Sequence, residues 1–333
     1  MLDTLQKFFL MTNAEAYVEV MHNRLMRPLP ESGRTGEYWG NSQRADFYPC
    51  LRDTLFELGF GLGKVIKILD VGAGSHEMID HLLKDYPAII SAVEPNPLML
   101  EQYYTALKRN HRLKLNSIYR GLIQSLYRDQ PGQSWLKGLP QQDLILATHM
   151  IYGLSSARSN EGVHPQEDLV NFIAAMYDKL EIGGTLFIVY AIGESTILGE
   201  AAASYVGQSL PNYEKNIRSI WQARRDLLEQ AGIGPVMNTF FPNFKCEVAT
   251  ALTSSYIYGD TVDDIASYCL LGEFTQVDES PFEIEKLLHN YSFIEKHADE
   301  FQLQRINEGS RAGMLRVATP QVVCRIKKSR RQH

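Results

Sequence analysis

The chain has 333 residues, of which 44% are hydrophobic and 22% charged, a balance typical of a globular protein with a sizeable core. This length allows one large domain, or one core domain with a substantial insertion. The net charge of −6 argues against a nucleic-acid partner, which requires a basic face. No run reaches the roughly 18 apolar residues of a membrane span.

The four cysteines form no CxxC pair, so neither a zinc site nor a disulfide framework is expected. A reducing, cytoplasmic location is therefore predicted. The N-terminal FFLM (8–11) is too short for the apolar region of a signal peptide. The basic run KKSRR (327–331) is interpreted as a solvated tail.

In chain order, helical spacing of apolar residues predicts a first helix over 1–27. A loop rich in Pro and Gly follows over 27–41, and a second helix is predicted over 45–60. Strands and helices then alternate. The strands are predicted over 64–72, 88–95, 112–120, 143–153 and 185–193, with helices over 76–86, 96–111 and 165–184. Gly183 and Gly184 suit a C-cap for the last of these helices.

This alternation of short apolar strands and helices indicates a parallel sheet that is covered on both faces. Beyond residue 193 the chain is more helical, with a strong amphipathic helix over 212–233. Late strands are predicted over 244–253 and 314–326. Residues 256–310 between them are interpreted as mostly helical and polar.

The segment ILDVGAGSHEMIDHLL (68–83) has the order strand, glycine turn, helix. Gly72 and Gly74 would let the backbone approach a ligand, and Ser75 is a plausible N-cap. The next strand ends in Glu94, about 20 residues further on, where an acidic side chain reaches ribose hydroxyls in nucleotide-binding folds. Together these features predict a nucleotide or anion site, against the alternative of a tight turn and a solvent-facing Glu.

The identity of the cofactor depends on the residues after this turn. A dehydrogenase usually has a third glycine there, and the pyrophosphate lies at the helix N-terminus. Glu77 would add a carboxylate next to that pyrophosphate. S-adenosylmethionine has a ribose but no phosphate, so it is compatible with both Glu77 and Glu94.

Four segments resemble, in order and spacing, the successive motifs of class I S-adenosylmethionine-dependent methyltransferases, over about residues 64–192. They are ILDVGAGSHE (68–77), AVEPNP (92–97), QQDLILATHMIYGL (141–154) and LEIGGTLFIVYA (180–191). His76 departs from the family pattern, which has a third glycine at that position. The resemblance implies a Rossmann-like α/β fold: a mostly parallel seven-stranded sheet with helices on both faces and a helical lid or insertion.

The same resemblance implies S-adenosylmethionine as cofactor, S-adenosylhomocysteine as product, and a set of cofactor-binding residues. Glu94 would hold the ribose, and Pro95 and Asn96 would approach the adenine. The methionine end would be lined by Asp70, Gly72, Ala73 and Gly74. At the end of the fourth strand the cofactor would be contacted by Thr148 and His149.

A narrower resemblance is to histamine N-methyltransferase and its relatives, through AYVEVMHNRL (16–25), VEPNP (93–97) and THMIYGL (148–154). In those proteins an N-terminal helical segment closes over the substrate. The domain prediction follows from this: a covering segment over 1–60, an α/β core over 61–255, a helical insertion over 256–312, and the last strand with a basic tail over 313–333.

The catalytic candidates are His149 and Tyr152. His149 stands where the histamine-type relatives have a neutral amide, and a histidine could accept a proton there; a hydrogen-bonded structural histidine is the alternative. Tyr152 could contact the acceptor or simply pack. Substrate contacts are predicted for the aromatic residues Tyr17, Tyr38, Trp39 and Tyr190. Glu31 and Glu37 are candidates to bind a substrate amine.

The predicted reaction is metal-independent methyl transfer to a small molecule, at an amine or imidazole nitrogen, by in-line displacement. No metal site is predicted, because the strand end lacks the acidic cluster of a Mg²⁺-dependent type. The RVATP segment (316–320) replaces an amide residue of the histamine-type relatives, which argues against histamine itself as the acceptor.

The alternative functions are a protein or peptide methyltransferase, a non-catalytic cofactor-binding protein and a dehydrogenase. A small-molecule acceptor is the expected partner, and a monomer is favoured.

Overall fold

The computed structural model describes residues 2–29, 36–59, 63–74, 86–128, 130–155, 164–208, 210, 212–272 and 279–331. Nearly all of the predicted helix over 76–86 lies outside these described residues. The same is true of Ser75, His76, Glu77 and Glu31, on which sequence predictions were made.

Ten strands are present in the described chain. They are β1 (Ile66–Val71), β2 (Ala88–Val93), β3 (Leu113–Tyr119), β4 (Gln142–Thr148), β5 (Leu180–Ala191), β6 (Phe244–Thr253), β7 (Tyr256–Gly259), β8 (Gln304–Arg305), β9 (Leu315–Ala318) and β10 (Gln321–Arg330). Seven of them form one sheet, in the order β3-β2-β1-β4-β5-β10-β6. The pairs β2–β3, β1–β2, β1–β4 and β4–β5 are all parallel.

The described α-helices are α1 (Leu2–Phe8), α2 (Asn13–Val18), α3 (Gln43–Glu57), α4 (Pro97–Arg109), α5 (Gln130–Gly138), α6 (Pro165–Asp178), α7 (Ile197–Gly207), α8 (Tyr213–Arg224), α9 (Ile233–Phe240), α10 (Val262–Cys269) and α11 (Ile284–His297). Two π-helical segments follow α2 and α8, at Glu19–Leu25 and Arg225–Glu229. None of the described helices is long and apolar enough to span a bilayer.

Both faces of the seven-stranded sheet are buried at its central strands. Side chains alternate between the faces along a strand, and Ile68 packs in a core cluster with residues of α3 and α4. On the opposite face Leu69, Ile145 and Ile188 are also fully buried. Burial on both faces explains why these strands are nearly continuous apolar runs. The predicted fold class, a mostly parallel seven-stranded α/β sheet of the Rossmann type, is confirmed.

The prediction that the helix beginning at Pro165 ends at Gly183 and Gly184 was wrong. Helix α6 ends at Asp178, and β5 already begins at Leu180. Leu180 pairs with Gln142, whereas Leu144 pairs with Thr185, so β5 carries extra residues in this part of the ladder. Gly183 has a φ of +90° there. Glycines occur at bulges in strands as well as at the ends of helices.

The C-terminal part of the chain also differs from the prediction. The single strand expected over 314–326 is two strands, because β9 joins a separate three-stranded sheet with the order β7-β9-β8 and only β10 joins the large sheet. The break falls at residues 319–320, and proline lacks the N–H that a continuing ladder uses. Residues 256–310 therefore contain strands as well as α10 and α11. The helix predicted over 212–233 is α8 followed by a π-helical segment.

The chain divides into two compact units. One comprises residues 47–190, 219–252 and 322–333 and contains most of the large sheet; it is called the sheet unit below. The other comprises residues 1–46, 191–218 and 253–321; it contains α1, α2, α7, α10, α11 and the small sheet. Its core includes Phe8, Val20, Ile257, Ile265 and Leu287. The domain boundaries expected from the sequence stay a prediction.

Candidate cofactor site at the carboxyl ends of β1, β2 and β4

The glycine turn follows directly after β1 and is anchored to β2. The N–H groups of Gly72 and Ala73 both donate to the carbonyl of Val93, at 2.9 and 3.0 Å. Gly72 and Gly74 have φ values of +68° and +62°, in the left-handed region that favours glycine. A Cβ on Gly72 would lie 2.4 Å from the Cβ of Met150, whereas a Cβ on Gly74 would meet no described atom within 4 Å. The turn is thus tightly packed at Gly72 and open at Gly74.

This difference predicts unequal effects of two alanine substitutions on the free energy of unfolding. Gly74→Ala should cost about 1–2 kcal/mol, because only the left-handed backbone disfavours it. Gly72→Ala should cost roughly 1–3 kcal/mol more, because it adds overpacking against Met150. Urea unfolding curves of the two variants measure the difference. Equal losses would contradict the packing described for the turn.

Glu94 links this turn to the beginning of α4. Its side chain is 2% exposed. Its Oε2 accepts a hydrogen bond from the Gly74 N–H at 2.8 Å, and its Oε1 accepts one from the Asn96 N–H at 2.8 Å. Burial raises the pKa of Glu94 to about 7, although these two hydrogen bonds oppose the shift. A carboxylate has about four lone-pair sites, so two remain beyond the two backbone donors, as many as the two hydroxyls of a ribose require.

Asn96 caps α4 and carries a second polar group of interest. Its Oδ1 accepts hydrogen bonds from the N–H groups of Leu98 and Met99, at 2.9 and 3.3 Å, which identifies Nδ2 as the donor end of the amide. Asn96 is fully buried, and its Nδ2 has no hydrogen-bond partner among the described residues. An unsatisfied buried donor costs about 1–3 kcal/mol. A ring nitrogen of a bound base is an acceptor that would satisfy it. Pro95 is also buried.

Asp70, in β1, is 2% exposed. Its Oδ2 accepts a hydrogen bond from the hydroxyl of Tyr103 in α4 at 2.9 Å. Burial and the neighbouring Asp70 charge raise the pKa of Tyr103 well above its usual range, so Tyr103 stays a donor. Sequence reasoning missed Tyr103. The only feature of the sequence that could have indicated Tyr103 is its inward-facing position on the helix that follows Glu94.

At the carboxyl end of β4, Thr148 and His149 are half-buried. His149 has a φ of +55°, a conformation that costs a non-glycine residue roughly 1–3 kcal/mol and clusters at functional sites. Its N–H donates to the carbonyl of Val189 in β5 at 2.7 Å, which holds the backbone in place. Its Nδ1 lies 3.2 Å from the hydroxyl of Tyr152.

The predicted cofactor and catalytic residues converge because β2, β1 and β4 are adjacent parallel strands, whose carboxyl ends meet at one edge of the sheet. Ten residues belong to this edge: Asp70, Gly72, Ala73, Gly74, Glu94, Pro95, Asn96, Thr148, His149 and Tyr152. Within the described residues, no group of three or more His, Cys, Asp or Glu side chains could hold a metal ion.

The predicted substrate residues are placed differently. Tyr190, in β5 of the sheet unit, is 2% exposed, and its hydroxyl donates to Oε1 of Glu229 at 3.0 Å. Tyr17, Tyr38 and Trp39 belong to the other compact unit, and their role in substrate binding stays a prediction.

Glu37, a candidate to bind a substrate amine, is engaged by a cation of its own unit. Its Oε1 accepts a hydrogen bond from Nη1 of Arg311 at 2.6 Å. The guanidinium of Arg311 also lies over the ring of Tyr258, with 3.9 Å between Cζ and the ring centroid. Glu37 is thus already part of an ion pair.

No family model matches the chain, and no curated protein matches it. Among solved structures it is similar to the plantazolicin methyltransferase BamL, in complex with a triazolic desmethylPZN analogue and S-adenosylhomocysteine, at 11% identity and a TM-score of 0.42 over 96% of each chain. It is similar to YcgJ of Bacillus subtilis at 12% identity and a TM-score of 0.44, over 83% of this chain and 99% of the other. It is also similar to the [4+2]-cyclase SpnF at 10% identity and a TM-score of 0.46, over 96% of this chain and 97% of the other.

Proposed function

We propose that this protein is an S-adenosylmethionine-dependent methyltransferase that acts on a small molecule, at an amine or imidazole nitrogen and without a metal. The observation that carries the proposal is the buried carboxyl of Glu94, held by the backbone of the glycine turn and by the start of α4. Its two further lone-pair sites suit the two hydroxyls of a ribose. The buried Nδ2 of Asn96 suits a ring nitrogen of the adenine.

The same contacts favour S-adenosylmethionine over a dinucleotide. A pyrophosphate binds to backbone N–H groups at a glycine turn. Here the Gly74 N–H already donates to Glu94 at 2.8 Å, so the turn offers one donor fewer to a pyrophosphate. The sulfonium cofactor carries no phosphate, so it does not need that donor.

When bound, S-adenosylmethionine supplies a methyl group on a sulfonium that is already a good leaving group. The chain's own contribution is then to align the acceptor and to exclude water, and orientation of this kind can contribute about 7–11 kcal/mol. An amine acceptor must also be unprotonated to offer its lone pair. In the tautomer that donates from Nδ1 to the hydroxyl of Tyr152, His149 carries a lone pair on Nε2 and can take that proton.

The raised pKa of Glu94 predicts a pH dependence of cofactor binding. Ribose hydroxyls donate hydrogen bonds, so they favour the ionised carboxyl, whereas burial keeps it largely protonated below its pKa of about 7. The affinity should therefore rise about tenfold between roughly pH 6 and pH 8 and level off above, where no proton must be released. Calorimetric titrations across this range measure it. A flat profile would show that Glu94 does not bind the ribose.

The function is tested by supplying the protein with S-adenosylmethionine labelled in the methyl group and with panels of amines, imidazoles, peptides and whole proteins. The proposal expects label in one or more small nitrogen compounds. Label only in peptides or proteins would favour the peptide methyltransferase instead. Cofactor binding without transfer to any acceptor would favour a non-catalytic role.

A further inference from the structure

A cleft lies beside the turn that follows His149 in the sheet unit. Its walls are largely apolar, and its empty space is about 210 Å³, part of which is open to solvent. The residues that line it include Ile151, Leu154, Ser155, Leu169, Ile220 and Arg224. This volume is below the roughly 300–1,000 Å³ of a pocket that encloses a whole ligand, so the cleft is a candidate site for one end group of a larger molecule.

Arg224, the last residue of α8, is the cation of this cleft. It is 7% exposed. Its Nη2 donates to the carbonyl of Ile151 at 3.2 Å, which uses one of the five N–H donors of a guanidinium. Burial lowers the pKa of Arg224, and the groups that oppose this are the phenols of Tyr152 and Tyr190. No ion pair joins Arg224 to a carboxylate of the described residues.

Asp168, a carboxylate beside the cleft wall, is already neutralised. Ser155 donates its hydroxyl to Oδ2 of Asp168 at 2.9 Å, and Arg128 forms an ion pair with the other oxygen of Asp168. The positive charge of Arg224 therefore stands without a compensating charge among the described walls of the cleft. A buried charge is costly unless it is paired, and a guanidinium pairs best with the two parallel oxygens of a carboxylate or phosphate.

Tyr152 connects this cation to the catalytic candidate. Its hydroxyl lies 3.2 Å from Nδ1 of His149. Its ring lies under the guanidinium of Arg224, with 5.4 Å between the ring centroid and Cζ. Neither Tyr152 nor His149 lines the cleft, so a ligand whose acidic group meets Arg224 would have to reach past Tyr152 to place its nitrogen near His149.

We propose that Arg224 binds an anionic group of the methyl acceptor, so that the substrate is a nitrogen compound that also carries a carboxylate or phosphate, such as an amino acid. This inference rests on the proposed function, because it assigns the acceptor of the same site. It names a substrate class that a simple amine such as histamine does not satisfy.

Matched pairs of probes test the inference, because the two members of each pair differ only in the acidic group. L-histidine with histamine and L-tyrosine with tyramine test a carboxylate, and phosphoethanolamine with ethanolamine tests a phosphate. Binding with S-adenosylhomocysteine present is measured by calorimetry, and methyl transfer with labelled donor. The wild-type protein should prefer the acidic member of at least one pair by about tenfold or more, as expected for hydrogen bonds to a charged group.

Two substitutions identify Arg224 as the cause of this preference. Arg224→Met should abolish the preference for the acidic member, and Arg224→Lys should keep part of it. The melting temperature of Arg224→Met should not fall, because replacing a buried charge with an apolar side chain of similar size is often neutral or stabilising. Arg218→Met, at an exposed position of α8 with 48% of the side chain accessible, is the matched control and should change nothing.

Equal binding of both members of every pair, or an unchanged preference in Arg224→Met, would overturn the inference. Wild-type protein that binds none of the acidic probes would overturn it as well. These results leave the proposed function standing if S-adenosylmethionine still binds and a methyl group is still transferred. Failure of the proposed function would appear separately, as an absence of cofactor binding in every variant.

Discussion

Replacing Glu94 with glutamine should weaken S-adenosylmethionine binding at least tenfold. Hydrogen bonds to a charged acceptor contribute about 1.5–3 kcal/mol, and each 1.4 kcal/mol corresponds to about a factor of ten in the dissociation constant. The glutamine amide would also face one of the two N–H groups, of Gly74 or Asn96, that now donate to the carboxyl. Isothermal titration calorimetry at about pH 8, where Glu94 is ionised, gives the largest difference.

Glu101→Gln is the matched control for this substitution, because Glu101 is exposed on the same helix α4. It should bind the cofactor as the wild type does. Circular dichroism of Glu94→Gln below its melting temperature establishes that the variant is folded. Unchanged affinity in a folded Glu94→Gln variant would refute the assignment of Glu94 to the ribose.

Replacing His149 with alanine should lower the turnover number about 10²- to 10⁴-fold, the usual contribution of a positioned acid or base. The imidazole is oriented by its contact with the Tyr152 hydroxyl and by a backbone that is fixed to Val189. Loss of this group removes the acceptor of the proton from an amine substrate. The rate is measured with labelled cofactor and an acceptor found in the screen, at saturating concentrations of both.

His111→Ala serves as the control, because His111 is exposed in the turn between α4 and β3. Added imidazole should restore part of the rate of His149→Ala, which a purely structural histidine would not allow. Turnover of His149→Ala within about threefold of the wild type would identify His149 as a structural residue, since positioned acid–base groups contribute far more.

Local sequence pattern was sufficient for the parallel part of the sheet and for the glycine turn with its acidic partner. A strand, a glycine turn and an acidic residue about 20 positions later are features of one continuous segment, so Gly72, Gly74 and Glu94 could be found without coordinates. Parallel strand order then brings His149 to the same edge. Each of these predictions depends on residues that are close in sequence or on the regular alternation of strands and helices.

The parts that the sequence did not predict depend on contacts between distant segments. Tyr103 bonds to Asp70 across 33 positions, and Arg224 reaches Ile151 across 73 positions; neither pair has a local signature. The backbone of His149 is likewise held by a long-range hydrogen bond, from its N–H to the carbonyl of Val189 in β5. At Gly183 the glycine pair was recognised as a break, whereas the break at residues 319–320 was not predicted. Whether the chain bulges or changes sheet at these positions is decided by the strand with which it pairs.

We propose that the turn after β1 and the carboxyl of Glu94 form a site for S-adenosylmethionine. The most direct measurement is a calorimetric titration of the wild-type protein, in parallel, with S-adenosylmethionine and with NAD⁺ at about pH 8. We expect saturable binding of one S-adenosylmethionine per chain and no binding of NAD⁺. Binding of NAD⁺, or no binding of S-adenosylmethionine, would contradict it.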